Sequence, residues 1–482
     1  MDLRSRPGRD AVDEAAQSFD VVIIGGGPAG HNAALTAAEA GRTVVMIESE
    51  SAVGGACVSR GTIPSKTLRE TALSLVGFRR RSGEVFDVQM REDLQIASLM
   101  GRMQRVIETH QTTMARQMDR VGIVRWHGRA RFADAHTVEV RGIDGSRRRV
   151  RAGFIIIATG SRPRTPNDIP VDHDKVLDSD SFLSMIYLPK SLVVLGGGVI
   201  ASEYAAIFAS LGVAVTMTDK SERPLGFLDP ELADRFVASF TASGGRWIGK
   251  RKPTKVEWDG LEHVVTTLDD GTVLKSEKLL CALGRVANLE SLDLPAAGLA
   301  PTDRGLITVD ANCRTAVEHI YAVGDVIGAP SLASAAMEQG RRAIAHALGL
   351  PASVSPSHQP MGIYTIPEIA AVGLSEADAR KRPDGALVGR ADFADLARGQ
   401  IAAIPDGLLK LIADGAGKKL LGVHIIGEGA AELVHIGQMA LIAGMDVDAF
   451  IANTFNFPTL AEAYRLAALD IAHQRNQVPA PA

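Results

Sequence analysis

The sequence predicts an α/β protein in which one strand–turn–helix–strand unit occurs twice, followed by a C-terminal α+β part. Three observations lead to this expectation. Two glycine-rich turns each follow a short apolar strand. Each unit ends in an acid 23 residues after its first glycine. Beyond about residue 350 the glycine pattern stops and alternating strand and helix segments take over.

The first unit reads "FDVVIIGGGPAGHNAALTAAEAGRTVVMIESE" from Phe19. "DVVII" is β-branched and uninterrupted, as a strand buried on both faces should be. Gly25, Gly27 and Gly30 then form G-x-G-x-x-G ahead of an alanine-rich helix. The first glycine allows the tight turn, the second lets backbone N–H groups approach a pyrophosphate, and the third lets helix and strand pack closely. The anion would rest on the helix N-terminus. Glu48 closes the next strand, where a carboxylate accepts hydrogen bonds from a ribose diol. The second unit, "SLVVLGGGVIASEYAAIFASLGVAVTMTDKSE", repeats the plan with Gly196 and Gly198, with Ala201 in place of the third glycine, and ends in Asp219. The methyl of Ala201 is expected to displace the helix slightly without abolishing binding. Both units are Rossmann-like, so two dinucleotides are expected on one chain.

The segments between these units set the order of domains. "FIIIATGSRP" is a strand running into the turn that holds Thr159 and Gly160, and is read as the crossing into the second unit. "LLCALGR", with Gly284, is read as the crossing back. "HIYAVGDVIG" places Gly324 and Asp325 after another strand. There a carboxylate would either bind the sugar-alcohol hydroxyls of a flavin chain or cap the next helix. That helix, "SLASAAMEQGRRAIAHAL", precedes a Pro/Ser linker, "ASVSPSHQP". The expected boundaries are a tail at 1–18, a first dinucleotide domain at 19–155 and 285–350, an inserted one at 156–284, and an interface domain at 351–482. In the last domain "GLLKLIAD" and "KKLLGVHIIG" read as strands joined by "GAG". Helices are expected at "AAELVHIGQMALIAG" and "TLAEAYRLAALDIAHQR". His424 in a strand and His435 in a helix are expected to be packed side chains, and no metal-ligand spacing occurs.

Composition narrows the class further. A net charge of −4 offers no footprint for nucleic acid or an anionic membrane surface. No stretch reaches the ~18 uninterrupted apolar residues of a membrane helix. The first residues, "MDLRSRPGRDAVDEAAQS", mix acids and arginines and read as a mobile tail with no secretory signal. Three scattered cysteines, Cys57, Cys281 and Cys313, suit neither a disulfide framework nor a zinc site, and imply a reducing, cytoplasmic compartment.

The loop "GGACVSRGTIPSK" (54–66) holds Gly55 and Cys57 near a helix start, where a thiol pKa falls. A partner thiol would stand at position 62, one helical turn on. That residue is Thr62.

In the order of the two turns, this loop, "ATGSRP", "AVGD" and "FNFPTLAEAYRLAA", the chain resembles the flavoprotein disulfide reductases from Phe19 to about Arg475. The resemblance implies FAD on the first unit, NAD(P) on the inserted one, and a homodimer or larger homo-oligomer built by the C-terminal domain. Members that reduce disulfides carry C-x4-C and a His-Pro-x-x-x-Glu pair. Here Thr62 replaces the second cysteine, and Phe457 precedes Pro458, so Glu462 lacks its histidine. Both departures, with "GTIPSK" and the Asn–Phe–Pro–Thr segment, resemble the soluble pyridine nucleotide transhydrogenases within that family.

That likeness implies hydride passing from NADPH to NAD+ through a flavin without a redox disulfide. It places Lys66 beside flavin N5 and Glu203 as its paired acid. Cys57 would either tune the flavin or be an inherited residue with no catalytic part. Asp219 suits the ribose diol of NAD, while Lys220 and Arg223 would neutralise a 2′-phosphate or simply form a solvated charged loop. A quinone or dye reductase, a disulfide reductase with another thiol path, and a non-catalytic nucleotide sensor are the competing expectations.

Overall fold

The computed structural model describes residues 16–82, 96–351, 358–404 and 406–477. Residues 1–15 of the expected tail and 352–357 of the expected linker lie outside them. Gln17 and Ser18, assigned to the tail from sequence, instead open the first strand, where they pair with Val150 and Arg151. The chain divides into two compact units.

The first unit draws on Met1–Pro64, Gln104–Arg162 and Arg285–Val354. Its parallel strands run in the order Val124–His127, Val44–Glu48, Gln17–Ile24, Arg147–Ile157. The long strand Arg147–Ile157 has two partners along its other edge. Its first half pairs antiparallel with Thr137–Arg141, and its last three residues pair in parallel with Ile320–Ala322. Val21, Val22 and Ile23 are wholly buried, which is why this strand reads as a continuous apolar run. Helix Pro28–Glu39 follows the first strand and packs on helix Ala333–Ala347. The two approach closely because Gly340 has no side chain: a Cβ there would lie 2.2 Å from the Ala29 carbonyl oxygen.

The second unit draws on Ser65–Met103, Pro163–Gly284 and Ser355–Ala482. One of its sheets is parallel, in the order Arg246–Ile248, Ala214–Thr218, Ser191–Leu195, Lys278–Cys281, Val176–Asp178. Its first three strands repeat the third–second–first order seen in the first unit. A small antiparallel sheet, Pro253–Trp258, Val264–Leu268 and Val273–Ser276, is inserted before the strand Lys278–Cys281.

The C-terminal sheet is antiparallel, in the order Met361–Ile363, Ile369–Gly373, Leu420–Ile426, Leu408–Asp414, Ala386–Asp392. The expected "GAG" hairpin is its centre, and both strands are buried along nearly their whole length. Helices Ala430–Ile442 and Glu462–Gln477 cover it. Tyr464, fully buried between them, donates to the Leu433 carbonyl at 2.7 Å and accepts the Gly437 N–H at 3.1 Å.

Helix Pro230–Ala242 is tied to this sheet by a row of polar contacts. Lys410, only 1% exposed, reaches Asp229 at 2.8 Å, Glu231 at 3.0 Å and Glu376 at 2.5 Å. Arg390 meets Glu231 at 3.0 Å, Arg235 meets Asp392 at 2.7 Å, and Ser239 donates to Asp406 at 2.9 Å. A buried ammonium is tolerated only when opposite charges replace its water, and three carboxylates do so here.

Candidate dinucleotide sites and a buried ion pair

In the first unit the glycine turn is built by close backbone approach. Gly25 has φ +106°, and a Cβ there would lie 2.3 Å from the Ala158 carbonyl oxygen. A Cβ on Gly30 would lie 1.9 Å from the oxygen of Gly25, so the third glycine permits the helix to sit on the strand. Gly27 is the N-cap of the helix and brings no side chain, which leaves the first N–H groups for an anion. The Gly26 N–H donates to Glu48 Oε2 at 2.7 Å, and the Glu50 N–H donates to Oε1 at 2.9 Å. A cavity of about 350 Å³ opens beside Glu48, lined also by Val53, Gln111, Arg125, Trp126 and His127. Three carboxylates, Glu48, Glu50 and Glu108, and the Trp126 indole line it, so it offers both ribose acceptors and an aromatic wall.

The other end of this site lies at Asp325, in the turn Gly324–Ile327. Ser161 donates to its Oδ2 at 2.5 Å, and Arg285 Nε donates to the Ser161 hydroxyl at 2.8 Å. Asn288 donates to the Thr159 carbonyl at 3.0 Å, and the Gly324 N–H donates to Gln339 at 2.8 Å. Asp325 therefore anchors a hydrogen-bond chain, and it is not the helix cap that was the other sequence reading. The buried Thr159 hydroxyl has no hydrogen-bond partner among the described residues. Gly160 has φ +67°, and nothing stands within 4 Å of where its Cβ would be. An unsatisfied hydroxyl beside open backbone, with a diphosphate cradle at the other end, fits an extended dinucleotide.

Gly54 and Gly55 join the reactive-looking loop to the same turn. The Gly54 N–H donates to the Gly26 carbonyl at 2.8 Å, and a Cβ on Gly55 would lie 2.9 Å from Gly27 Cα. Cys57 follows in the short helix Gly55–Ser59 and is half-buried. Thr62 begins the next helix, Thr62–Ser82. The two positions thus lie on separate helices and not one turn apart on a single helix, as the sequence spacing suggested. Burial pushes the thiols of Cys281 and Cys313 up to about 11, which makes both inert at neutral pH.

In the second unit Gly196 repeats the role of Gly25, with φ +120° and a notional Cβ 2.5 Å from the Ala282 carbonyl oxygen. Gly198 caps the helix Val199–Ser210 as Gly27 does in the first unit. Ala201 is fully buried in its first turn. The acid again folds back onto the turn: Asp219 Oδ2 accepts the Gly197 N–H at 3.0 Å, and Oδ1 accepts the Ser221 N–H at 2.8 Å. Gly284, at φ +111°, lies three residues past the strand Lys278–Cys281, which pairs with Ser191–Leu195 ahead of this turn.

Helix Val199–Ser210 also carries Glu203, whose carboxylate is 6% exposed. Lys66 Nζ donates to both its oxygens, at 2.8 and 2.7 Å, and the Tyr364 N–H donates to Oε1 at 2.9 Å. Lys66 also stands 4.8 Å from the centre of the Tyr364 ring. A second ion pair lies alongside, Arg69 to Glu368 at 2.9 Å, with Arg69 Nε donating to the Thr365 carbonyl at 3.0 Å. Burial raises the Glu368 carboxyl despite the nearby Arg69, and burial likewise raises the Tyr364 phenol.

Sequence reasoning missed Ser161 and Arg285, although both stand in the quoted turns, because the contacts that join them to Asp325 span 164 and 124 positions. It also missed Tyr364, Arg69 and Glu368, which carry no local signature. Phe457 is 69% exposed, and Glu462 accepts a long 3.4 Å contact from the Thr459 N–H. His424 is buried as expected, its Nε2 2.9 Å from the Leu374 carbonyl oxygen. His435 is not packed: it is exposed and bonds Gln438 at 2.8 Å, because its helix turns that position to solvent. Among the described residues no cluster could hold a metal ion, and no helix is long and apolar enough to cross a membrane.

Comparison with known proteins places these features in context. Residues 19–340 match the family model of pyridine nucleotide-disulphide oxidoreductases, and 359–468 match the dimerisation domain of that family. The chain is 42% identical to the soluble pyridine nucleotide transhydrogenase of Mycobacterium tuberculosis, over 94% of this chain and 97% of that one. It is 41% identical to the protein of the same name from Vibrio vulnificus, over 94% and 98%. Among solved structures it is similar to LpdA from Mycobacterium tuberculosis, with a TM-score of 0.87, 27% identity, and coverage of 94% and 99%. It is also similar to the HOCl-induced flavoprotein disulfide reductase RclA from Escherichia coli, at 0.84, 25%, and 94% and 99%. With both family models matched in order and relatives aligned along nearly the whole chain, the chain belongs to the pyridine nucleotide-disulphide oxidoreductase family.

Proposed function

We infer that the chain is a flavin-dependent transhydrogenase, passing hydride from NADPH to NAD+ without a redox disulfide. One observation carries this reading beyond the family as a whole. The Lys66–Glu203 pair is intact, while Thr62 and Phe457 stand where a disulfide relay needs a thiol and an imidazole. The relatives named soluble pyridine nucleotide transhydrogenases support the same activity.

The cofactor in this reading is FAD, and the residues for it are Gly25, Gly27, Gly30, Glu48, Gly55, Cys57, Thr159, Gly160, Gly324 and Asp325. Bound there, FAD would supply the hydride-carrying ring between one nicotinamide and the next. The chain supplies alignment and charge. The helix N-terminus after Gly27 holds the diphosphate, Glu48 orients the ribose, and Asp325, fixed by Ser161 and Arg285, orients the sugar-alcohol chain. Gly196, Gly198, Asp219 and Gly284 present each nicotinamide nucleotide in turn. Lys66 is the catalytic cation, stabilising negative charge on the reduced ring, and Glu203 keeps its ammonium aimed through both carboxylate oxygens. Hydride transfer moves no proton, so the absence of a His-Pro pair costs this reaction nothing.

Residues 19–155 with 285–350 form the flavin domain of this reading, 156–284 the nicotinamide domain, and 351–482 the interface of a homodimer. Exposed apolar side chains in the last segment, among them Met439, Ile442, Phe457, Leu466 and Leu469, support self-association. Cysteine usage supports a cytoplasmic location. Stopped-flow absorbance tests the activity. NADPH should bleach the 450 nm flavin band, and NAD+ should restore it faster than oxygen or a quinone does. Reoxidation by a quinone alone would refute the transhydrogenase reading.

A further inference from the structure

We propose that Asp234 sets the balance between the two nucleotides by competing with a 2′-phosphate for the guanidinium of Arg223. The proposal rests on the reading of the second glycine turn as a nucleotide site and adds how that site serves both substrates.

Arg223 lies in the loop after the strand Ala214–Thr218, and that loop is pinned on both sides of it. Before it, the Ser221 N–H donates to Asp219 Oδ1 at 2.8 Å. After it, the Leu225 N–H donates to the Gly197 carbonyl at 2.7 Å, with the Leu225 side chain fully buried. Gly197 in turn donates to Asp219 at 3.0 Å. Arg223 is therefore bracketed by residues bonded to the acid and the turn that hold an adenosine ribose. Its guanidinium is already engaged: Nε donates to Asp234 at 2.7 Å, and a second nitrogen stands 3.6 Å from Glu222. Of the neighbouring cations, Lys250 shares Glu222, at 3.2 Å, and Arg251 meets Asp270 at 2.6 Å.

The Arg223–Asp234 pair is open to solvent, with side chains 40% and 56% exposed, and such pairs are weak and readily exchanged. A 2′-phosphate brings roughly two negative charges and three acceptor oxygens against the single charge of a carboxylate, and it accepts a guanidinium in fork geometry. With a phosphorylated ribose, Arg223 transfers from Asp234 to the phosphate. With a 2′-hydroxyl the pair stays closed and Asp219 serves the diol. The competitor itself is held in place. Its helix, Pro230–Ala242, is anchored through Glu231, Arg235 and Ser239 to Lys410, Asp392 and Asp406.

Calorimetric titration of the holoprotein with adenosine 2′,5′-bisphosphate and with 5′-AMP tests this without any hydride transfer. Asp234→Asn should tighten the bisphosphate by about 2- to 5-fold, the range of an exposed ion pair, and leave 5′-AMP unchanged. Asp234→Glu should restore the wild-type value. Arg223→Ala should weaken the bisphosphate roughly 10-fold or more and spare 5′-AMP. An equal shift of both probes in Asp234→Asn would overturn the proposal, as would bisphosphate binding indifferent to Arg223→Ala. Wild-type protein that binds neither probe would overturn the nucleotide-site reading together with it, so the two failures are distinguishable.

Discussion

Lys66 and Glu203 stand 137 positions apart and form an ion pair through both carboxylate oxygens, at 2.8 and 2.7 Å. The same carboxylate accepts the Tyr364 N–H, so its orientation is set from two directions. Removing the cation should therefore remove charge stabilisation without collapsing the site. Lys66→Ala is expected to slow flavin reduction by NADPH roughly 10- to 100-fold. Stopped-flow absorbance at 450 nm measures it, and an unchanged rate would take Lys66 out of the mechanism.

Position 62, where a resolving thiol would stand, is Thr62, which has no sulfur and opens the helix after that of Cys57. Dithiol exchange requires a second sulfur to complete the attack. Cys57→Ser should keep most NADPH-to-NAD+ activity, and wild-type protein should turn over neither lipoamide nor glutathione disulfide at a measurable rate. Disulfide reduction that disappears in Cys57→Ser would contradict this.

Asp325 is held by the Ser161 hydroxyl at 2.5 Å, which is itself fixed by Arg285 at 2.8 Å. Asp325→Ala removes a charged acceptor worth about 1.5–3 kcal/mol. FAD affinity should fall roughly 10-fold or more, read as a lower 450-to-280 nm absorbance ratio after gel filtration. Full retention of the flavin would dismiss Asp325 as a ligand.

The Lys410 cluster bears on stability rather than turnover. Lys410→Met would take the cation from buried Asp229 and leave Glu231 and Glu376 to Arg390 and Arg380 at the rim. Breaking such a buried arrangement costs about 3–5 kcal/mol, measured by urea unfolding at pH 7.

The same cluster makes a pH prediction. Burial alone would raise the Glu376 carboxyl, but hydrogen bonds from Lys410 and Arg380 outweigh it and hold it down to about 2. A lowered pKa stabilises the fold above the ordinary value of 4.5, and that contribution is lost as pH falls toward 2. Wild-type protein should lose stability across this window more steeply than Glu376→Gln. Parallel unfolding curves would show that the cluster does not respond to acid.

Both glycine turns were legible because their signals are local. Gly25, Gly27 and Gly30 lie within six residues of one another, and the apolar strand before them needs no distant partner to declare itself. The "GAG" hairpin was legible for the same reason. The pairing of Lys66 with Glu203 was accessible only through family resemblance. Nothing in either residue's neighbourhood points across 137 positions. Arg69, whose backbone partner Thr365 lies 296 positions away, and Lys410, 181 positions from Asp229, could not be read at all. A charge is conspicuous in sequence, but its burial is decided by the packing of elements that sequence reading treats one at a time. The helix break between Cys57 and Thr62 was missed differently. Spacing alone suggested one turn, and the chain instead ends one helix at Ser59 before starting another at Thr62.

Glu48 and Asp219 each give one oxygen to the glycine turn and the other to an N–H two residues on. Their rotamers are thus settled by the backbone before any nucleotide arrives. A mobile acid would surrender rotamer freedom when it closed on a ribose, a loss on the order of 1 kcal/mol per side chain. Here that entropy is given up during folding, which makes folding slightly less favourable and docking slightly more so. For Asp219, whose nicotinamide nucleotide is exchanged in every cycle, the benefit is kinetic as well: a carboxylate already held by the turn does not have to be re-ordered at each visit.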